Sequence, residues 1–402
     1  MKSEWNIGTI SEVCSLVTDG SHYSPKSCDN GEYMVSVKDF KGFGFDFSNC
    51  KHISSSDYEK MKASGCIPEC GDILIGKDGA RFFEDIIIYH QPEKPALLSS
   101  IAILRCNPDI ILPQFLYYIC KNPVFKKDVR DNYGSGSAIP RIVLKDFKRM
   151  PISYPNLDEQ RRIVASLVAI DDRILLNTAI NENLESQAQM LCEKWVSEHA
   201  ESIIMRSLSE IAEINPDTYS PKGKWEFINY LDTSSITNGV MSEIQMINPD
   251  TDKLPSRARR IIKANDIVYS TVRPNQLHFG IISDPMENML ASTGFAVIRS
   301  KHTYISSPYL YHFLTSPDFI EKMQQLAEQS ASTFPSVKPS DIGTCMIPCA
   351  DKEEMIEINE QVTNMYAMVS ANHKENRQLT DLRDTLLPKL MNGEIDVSKV
   401  RI

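Results

Sequence analysis

The chain has 402 residues, 42% of them apolar and 24% charged, with a formal net charge of −10. That length exceeds one ordinary core and suits two globular units of roughly 150 residues each. The composition excludes a disordered or low-complexity chain, and no run approaches the roughly 18 apolar residues needed to span a bilayer.

Met1-Lys2-Ser3-Glu4-Trp5 is too polar for a secretory leader, so a cytoplasmic location is expected. Ten Cys are scattered without a CxxC; Cys66/Cys70 and Cys345/Cys349 lack a second nearby ligand pair, which points to reduced structural thiols rather than zinc or disulfides. An acidic chain argues against a polyanionic partner at face value. The segments 157–199 and 351–391 carry −7 of the −10, however, leaving the rest close to neutral and able to gather Lys and Arg on one face.

Taken in chain order, the predicted elements occur twice. Gly8-Thr9-Ile10-Ser11-Glu12-Val13 corresponds to Arg206-Ser207-Leu208-Ser209-Glu210-Ile211, each a short helical or strand-opening phrase. Met34–Asp39 corresponds to Phe227–Asp232, a β-branched and aromatic strand. Gly71-Asp72-Ile73-Leu74-Ile75-Gly76 corresponds to Asn265-Asp266-Ile267-Val268-Tyr269-Ser270, a turn and a strand; Ile101–Arg105 corresponds to Phe295–Arg299, another strand. Pro113–Ile119 and Pro308–Leu314 read as helices with Pro in the first turn, ending before Asn122-Pro123 and Ser316-Pro317. Ser/Gly-rich loops follow at 134–141 and 330–336, then strands at 149–152 and 344–348. This mixture predicts α/β or α+β domains rather than bundles.

Each unit then runs into a heptad ladder. Ile163, Leu167, Ile170, Ile174, Asn177, Asn181, Leu184, Ala188, Leu191 and Trp195, shifted by 195 positions, become Ile358, Val362, Met365, Val369, Asn372, Asn376, Leu379, Arg383, Leu386 and Leu390. Steps of 4 and 3 alternate, and both copies break the apolar seam with two Asn. Asn156-Leu157-Asp158-Glu159-Gln160 and Ala350-Asp351-Lys352-Glu353-Glu354 start these helices with acid over the positive dipole end. A helix from 157 to about 196 is roughly 60 Å long. The expectation is an antiparallel coiled coil about a pseudo-twofold axis, with Asn177, Asn181, Asn372 and Asn376 fixing its register. The predicted divisions are 1–155 and 200–349 for the globular units, 156–199 and 350–392 for the helices, and a tail at 393–402. A rod of roughly 60 Å could touch a duplex at two places less than two turns apart, one turn being about 34 to 36 Å.

At this point the residues resemble a known family. Met150-Pro151-Ile152 through Pro155-Asn156-Leu157-Asp158-Glu159-Gln160-Arg161-Arg162-Ile163-Val164 is similar to the start of the conserved helix in type I restriction-modification specificity subunits, and 382–395 resembles that family's ending. Gly71-Asp72-Ile73-Leu74 with Gly76-Lys77-Asp78-Gly79-Ala80, and Asn265–Val268 with Val272-Arg273-Pro274, are similar to its target recognition domains. The resemblance covers essentially the whole chain. It implies a non-catalytic DNA-reading subunit with two target recognition domains, each reading half of an asymmetric bipartite site, and two helices that set the gap. It further implies double-stranded DNA and two methyltransferase subunits as partners, and restriction subunits in the full complex. S-adenosylmethionine and ATP are then expected on those partners, with no cofactor or metal on this chain. Gln160 departs from its repeat position, Met355, so the two docking faces need not be equivalent.

Candidate DNA contacts follow from residue type. Lys77, Asp78 and Arg81 lie in a Gly-bracketed loop after a strand, where Lys and Arg can reach phosphate or guanine and Asp can accept from cytosine. Arg257, Arg259, Arg260 and Lys263 form the densest basic cluster, and Arg273, Asn275, Gln276 and His278 follow the matching strand, Asn and Gln suiting adenine. Ser135, Ser137 and Arg141, with Ser332, Thr333 and Lys338, are candidate phosphate contacts, which position without specifying. Taken singly, each is also what an ordinary solvated loop would carry.

No catalytic signature accompanies them. Phe40-Lys41-Gly42-Phe43-Gly44 spells the FxGxG of a methyltransferase cofactor loop, but Phe45-Asp46-Phe47 continues it as strand, and no Walker, HExxH or GxSxG pattern is present. The alternative reading is a protein-interaction scaffold of two α/β modules on a coiled coil, with no nucleic acid involved.

Overall fold

In the computed structural model, which describes residues 5–135, 140–220, 225–242, 244–330 and 335–398, the sequence repeat becomes two units with one strand order. The first unit comprises residues 1–174 and 377–402, the second 175–376. Each long helix is therefore divided between them.

In the first unit, β1 (Cys14–Asp19), β2 (Ile73–Gly76), β3 (Ile86–Ile88) and β4 (Ile101–Cys106) form an antiparallel sheet in the order β1-β4-β2-β3. In the second, β5 (Ala212–Ile214), β6 (Asp266–Ser270), β7 (Phe279–Ile282) and β8 (Phe295–Ser300) repeat that order as β5-β8-β6-β7. The central strands are buried on both faces, which is why Ile73-Leu74-Ile75 and Ile267-Val268-Tyr269 read as continuous apolar runs rather than alternations. A ribbon of Asn6–Thr9 with Pro151–Tyr154 closes the first unit, and Ile204–Ser207 with Met346–Cys349 closes the second.

Smaller sheets distinguish the two units. The first pairs Glu32–Val35 with Lys51–Ile53 and Ala96–Leu97, whereas the second has four strands, the added edge being Ala258–Ile261. The first unit instead has the helix Ser55–Ala63 between its Lys51–Ile53 strand and β2. The basic cluster at 257–263 thus stands on an edge strand and its flanks, not on a loop.

The helices Pro113–Lys121 (α1) and Ser307–Leu314 (α4) match the expected segments. A second helix follows each: Pro123–Tyr133 (α2) after α1 and Pro317–Glu328 (α5) after α4. The sequence assigns no element there, its loops beginning only at 134 and 330. Asn122 and Ser316 do end the preceding helices, but their side chains then accept from Val124 N and Phe319 N, and Pro at the next position has the helical φ already set.

The ladders form α3 (Leu157–Glu198, 42 residues) and α6 (Lys352–Met391, 40 residues). Asn156 Oδ1 caps α3 through Glu159 N at 3.0 Å, and Gly393 at φ +70° turns the chain out of α6. Within the first unit, Ile163 and Leu167 share a core with Leu387 and Leu390; within the second, Ala188, Cys192 and Trp195 share one with Met355, Ile358 and Val362. Ascending numbers on one helix meet descending numbers on the other, so the paired segments run antiparallel in each unit. Full burial of each Ile, Leu, Val or Met side chain among them contributes roughly 1.5 to 3 kcal/mol before entropy is counted.

The seam is not apolar throughout. In the second unit Asn177 Nδ2 donates to Asn376 Oδ1 and Glu375 Oε2, both at 2.9 Å, and Asn372 Nδ2 donates to Asn181 Oδ1 at 2.8 Å. In the first unit Arg383 Nη1 meets Asp171 Oδ1 at 3.0 Å, and the Tyr118 hydroxyl donates to Asp171 Oδ2 at 2.7 Å. The repeat counterparts of Asp171 and Arg383 are Tyr366 and Ala188, where an aromatic contact between Tyr311 and Tyr366 replaces the ion pair.

All ten cysteines are free, eight of them buried or nearly so among apolar neighbours. No helix among the described residues is long and apolar enough to cross a membrane.

Candidate nucleic-acid interface

The end of β2 delivers one group of candidates, Ser135 and Arg141 belong to the other, and the backbone joins them. Asp78 and Arg141 form a β-bridge, Gly79 N donates to Pro140 O at 2.9 Å, Ile142 N donates to Lys77 O at 2.9 Å, and Ser135 N donates to Arg141 O at 2.9 Å. Gly79 at φ +93° supplies a conformation that side chains resist.

The second unit repeats this junction with other side chains. Val272 and Ser336 form the bridge, Arg273 N donates to Pro335 O at 3.0 Å, and Val337 N donates to Thr271 O at 2.8 Å. Sequence-distant candidates that had only been named together are therefore adjacent within each unit. Ser137, Ser332 and Thr333 lie outside the described residues.

Individual side chains differ in availability. Lys77 is 6% exposed and its ammonium lies 3.3 Å from Asp19, itself buried. The corresponding Thr271 is also buried, and the two backbone N–H groups donate alike, to Ser100 O and Gly294 O. Lys77 is thus built into the wall of the unit. Asp78 is partly exposed, with one carboxylate oxygen 3.7 Å from Lys77. Arg81 is exposed and bonds Asp85 at 2.9 Å, an exchangeable surface pair. Ser135 Oγ accepts from Arg141 N at 3.2 Å, and the Arg141 side chain is exposed.

On the edge strand of the second unit, Arg257 is exposed, Arg259 Nε donates to Ser256 O at 3.2 Å, and Lys263 is held 2.8 Å from Asp217. Arg260 is partly buried beside Thr218, and burial lowers the pKa of its guanidinium. Asp217 also accepts from Arg299, and these two cations hold its carboxyl below the usual range.

Arg273 and Leu277 have left-handed backbones (φ +48° and +57°) around the turn Pro274–Gln276, which leaves the side chains of Arg273, Asn275 and Gln276 exposed. Two consecutive bends with non-glycine residues in this region store strain where the candidate contacts stand. His278 faces inward instead: its Nδ1 lies 2.7 Å from Ile236 O and 3.1 Å from Thr237 Oγ1, so it braces a hairpin. Lys338 is exposed at the start of the short helix Pro339–Gly343.

Two features escaped the sequence reading. Arg105 makes a two-pronged pair with Asp72 at 2.8 and 2.9 Å, and Arg299 repeats it with Asp266 at 2.7 Å twice. Both Asp are essentially fully buried, so these arginines are structural. The shared spacing of 33 residues was the available signal. The other feature is the basic face of α2, with Lys126, Lys127 and Arg130, concealed by the unrecognised helix. Glu84, at the end of the Lys77 loop, receives Lys126 at 2.8 Å and also pairs with Arg130.

Residues 2–186 match the model of the type I restriction modification DNA specificity domain. Along its length the chain is similar to the type I restriction enzyme HindI specificity subunit of Haemophilus influenzae, 21% identical over 98% of this chain and 99% of that one. It is 23% identical to the MjaIX specificity subunit of Methanocaldococcus jannaschii, over 88% and 86% of the two chains. The crystal structure of a type I restriction-modification S subunit from M. genitalium has the same fold, with a TM-score of 0.56 and 16% identity over 96% of each chain. These likenesses do not favour the scaffold alternative. With its duplicated units and paired long helices, the chain is similar along its length to the specificity subunits of type I restriction-modification enzymes.

Proposed function

We propose that each unit reads one half of an asymmetric, interrupted DNA site, and that α3 and α6 set the gap between the halves. One observation supports this above all: the two units share the same bridged loop junction after the same strand, yet present Asp78 and Arg81 at one and Arg273, Asn275 and Gln276 at the other. A common backbone with different donors and acceptors is what reading two different half-sites requires.

The four ladder Asn hold the register of the helix pair in this reading. Two methyltransferase subunits dock on the helices, where Leu176, Met190, Met368 and Leu382 expose apolar surface, and restriction subunits join the full complex. S-adenosylmethionine and ATP bind those partners, and this chain carries no catalytic cofactor or metal of its own.

The test is methylation mapping of the complex with its methyltransferase, which should return a two-part site with a fixed gap. A single uninterrupted sequence, or methylation without preference, would overturn the reading. Adding one heptad within 170–190 and another within 365–385 should lengthen the gap and leave both half-sites unchanged.

A further inference from the structure

The first unit contains a cavity of about 650 Å³ that none of the DNA candidates lines. Its walls come from α1 (Tyr117, Tyr118, Lys121), α2 (Lys126, Lys127, Arg130, Asp131), the first half of α3 (Asp171) and the last turns of α6 (Arg383, Asp384, Leu387). Gly42 and Phe43 complete it from the tip of the hairpin Phe40–Phe45. This is the segment that spells FxGxG; it forms a β-turn with Gly42 at φ +58° and leaves Phe43 48% exposed, instead of opening a helix.

The charges on these walls are unevenly satisfied. Arg383 is held by Asp171 and Asp384, while Lys126 and Arg130 are held by Glu84. Lys121 and Lys127 have no carboxylate partner among the described residues. Lys121 instead lies against the Tyr117 ring, 5.5 Å from its centre. Burial, with Lys126 of α2 and Arg383 of α6 facing it, pushes the Lys121 ammonium down to about 8, against the weaker opposing pull of Asp171 and Asp85. Two unmatched cations and two aromatic rings around a cavity of this size suit a ligand that is anionic at one end and planar at the other.

We propose that this cavity binds a nucleotide, with its phosphate taken by Lys121 and Lys127 and its base against Phe43 and Tyr117. The phosphate comes from a free nucleotide or from a nucleotide within a DNA strand. The site differs from the loop junctions at Lys77 and Arg273, and it stands or falls independently of the bipartite-site reading.

The full-length chain, in complex with its methyltransferase where needed for solubility, is titrated calorimetrically with ATP, with pyrophosphate and with a short DNA duplex. ATP is expected to bind saturably, about tenfold more weakly to Lys121→Gln/Lys127→Gln and more weakly above pH 8 as Lys121 loses its proton. Phe43→Ser should weaken ATP severalfold and leave pyrophosphate unchanged, and this exposed substitution should not threaten folding. ATP binding that persists with duplex already bound marks a free nucleotide as the source; competition between the two, with the double variant weakening both, marks the strand. No saturable binding of ATP, pyrophosphate or duplex at this site, or ATP binding indifferent to both the lysine and the Phe43 substitutions in variants with wild-type melting temperature, would overturn the proposal. Methylation mapping would report on the bipartite-site reading whichever result is found.

Discussion

The side-chain amide of Asn372 donates to Oδ1 of Asn181 at 2.8 Å, joining two residues 191 positions apart inside the helix seam of the second unit. One turn along, Asn177 makes the corresponding bond to Asn376. Replacing Asn181 alone with Leu strands the Asn372 amide and should destabilise the protein by about 1 to 3 kcal/mol. Replacing both residues with Leu should recover most of that loss while relaxing the choice of register. Thermal unfolding of the two single variants and the double variant, treated as a cycle, measures the coupling; strictly additive losses would show that the bond has no energetic role.

Gln160 and Asn359 perform one task from non-equivalent positions. Gln160 Oε1 accepts from Leu112 N at 2.9 Å, ahead of α1, and Asn359 Oδ1 accepts from Ser306 N at 2.6 Å, ahead of α4. The repeat position of Gln160 is Met355, so in the second unit the amide has moved one helical turn along. Gln160→Ala and Asn359→Ala should each cost about 1 to 3 kcal/mol, by leaving a backbone donor unsatisfied. Hydrogen exchange should show the added opening at the start of α1 in the first variant and of α4 in the second.

Arg105 and Arg299 close buried pairs on Asp72 and Asp266. Removing one partner leaves a buried charge without compensation, so Arg105→Met or Arg299→Met should cost about 3 to 5 kcal/mol. Denaturant titration followed by proteolysis should locate the weakened unit. A loss below about 1 kcal/mol would mean that water replaces the guanidinium.

The DNA candidates divide into two experimental classes. Arg141→Ala and Lys338→Ala, both exposed, should leave the melting temperature unchanged and lower the salt dependence of DNA binding by about one unit of slope each. Lys77→Ala should instead destabilise the first unit, because it strands the buried carboxylate of Asp19. A salt slope altered by Lys77→Ala at unchanged stability would place that lysine on DNA.

Asp217 supplies a pH-dependent term. Lys263 and Arg299 hold its carboxyl below the usual range, so its folded pKa lies under its unfolded value of about 3.9. Its contribution is complete above that unfolded value and disappears as the pH falls through the folded pKa. Wild type should exceed Asp217→Asn in melting temperature at pH 7, and the two should converge below pH 4.

What the sequence determined by itself was the duplication, the length and antiparallel partnership of the helices, and the two central strands of each four-stranded sheet. These depend on periodicity, and a heptad ladder or an apolar run has the same period whatever surrounds it. Local cues were legible only where a single rule applied: Asn122-Pro123 was visible as a stop for α1, yet the same two residues cap α2, and that second meaning required the chain to turn and pack. The tertiary structure alone decided which candidates share a junction, because Asp78 and Arg141, like Val272 and Ser336, meet through backbone hydrogen bonds that carry no residue-type signature. It alone separated Lys77, enclosed with Asp19, from Arg141, open to solvent, since burial depends on neighbours distant in the chain. It also placed Lys121, Lys127 and Phe43 around one cavity, where four helical segments and a hairpin tip converge from positions more than 300 residues apart.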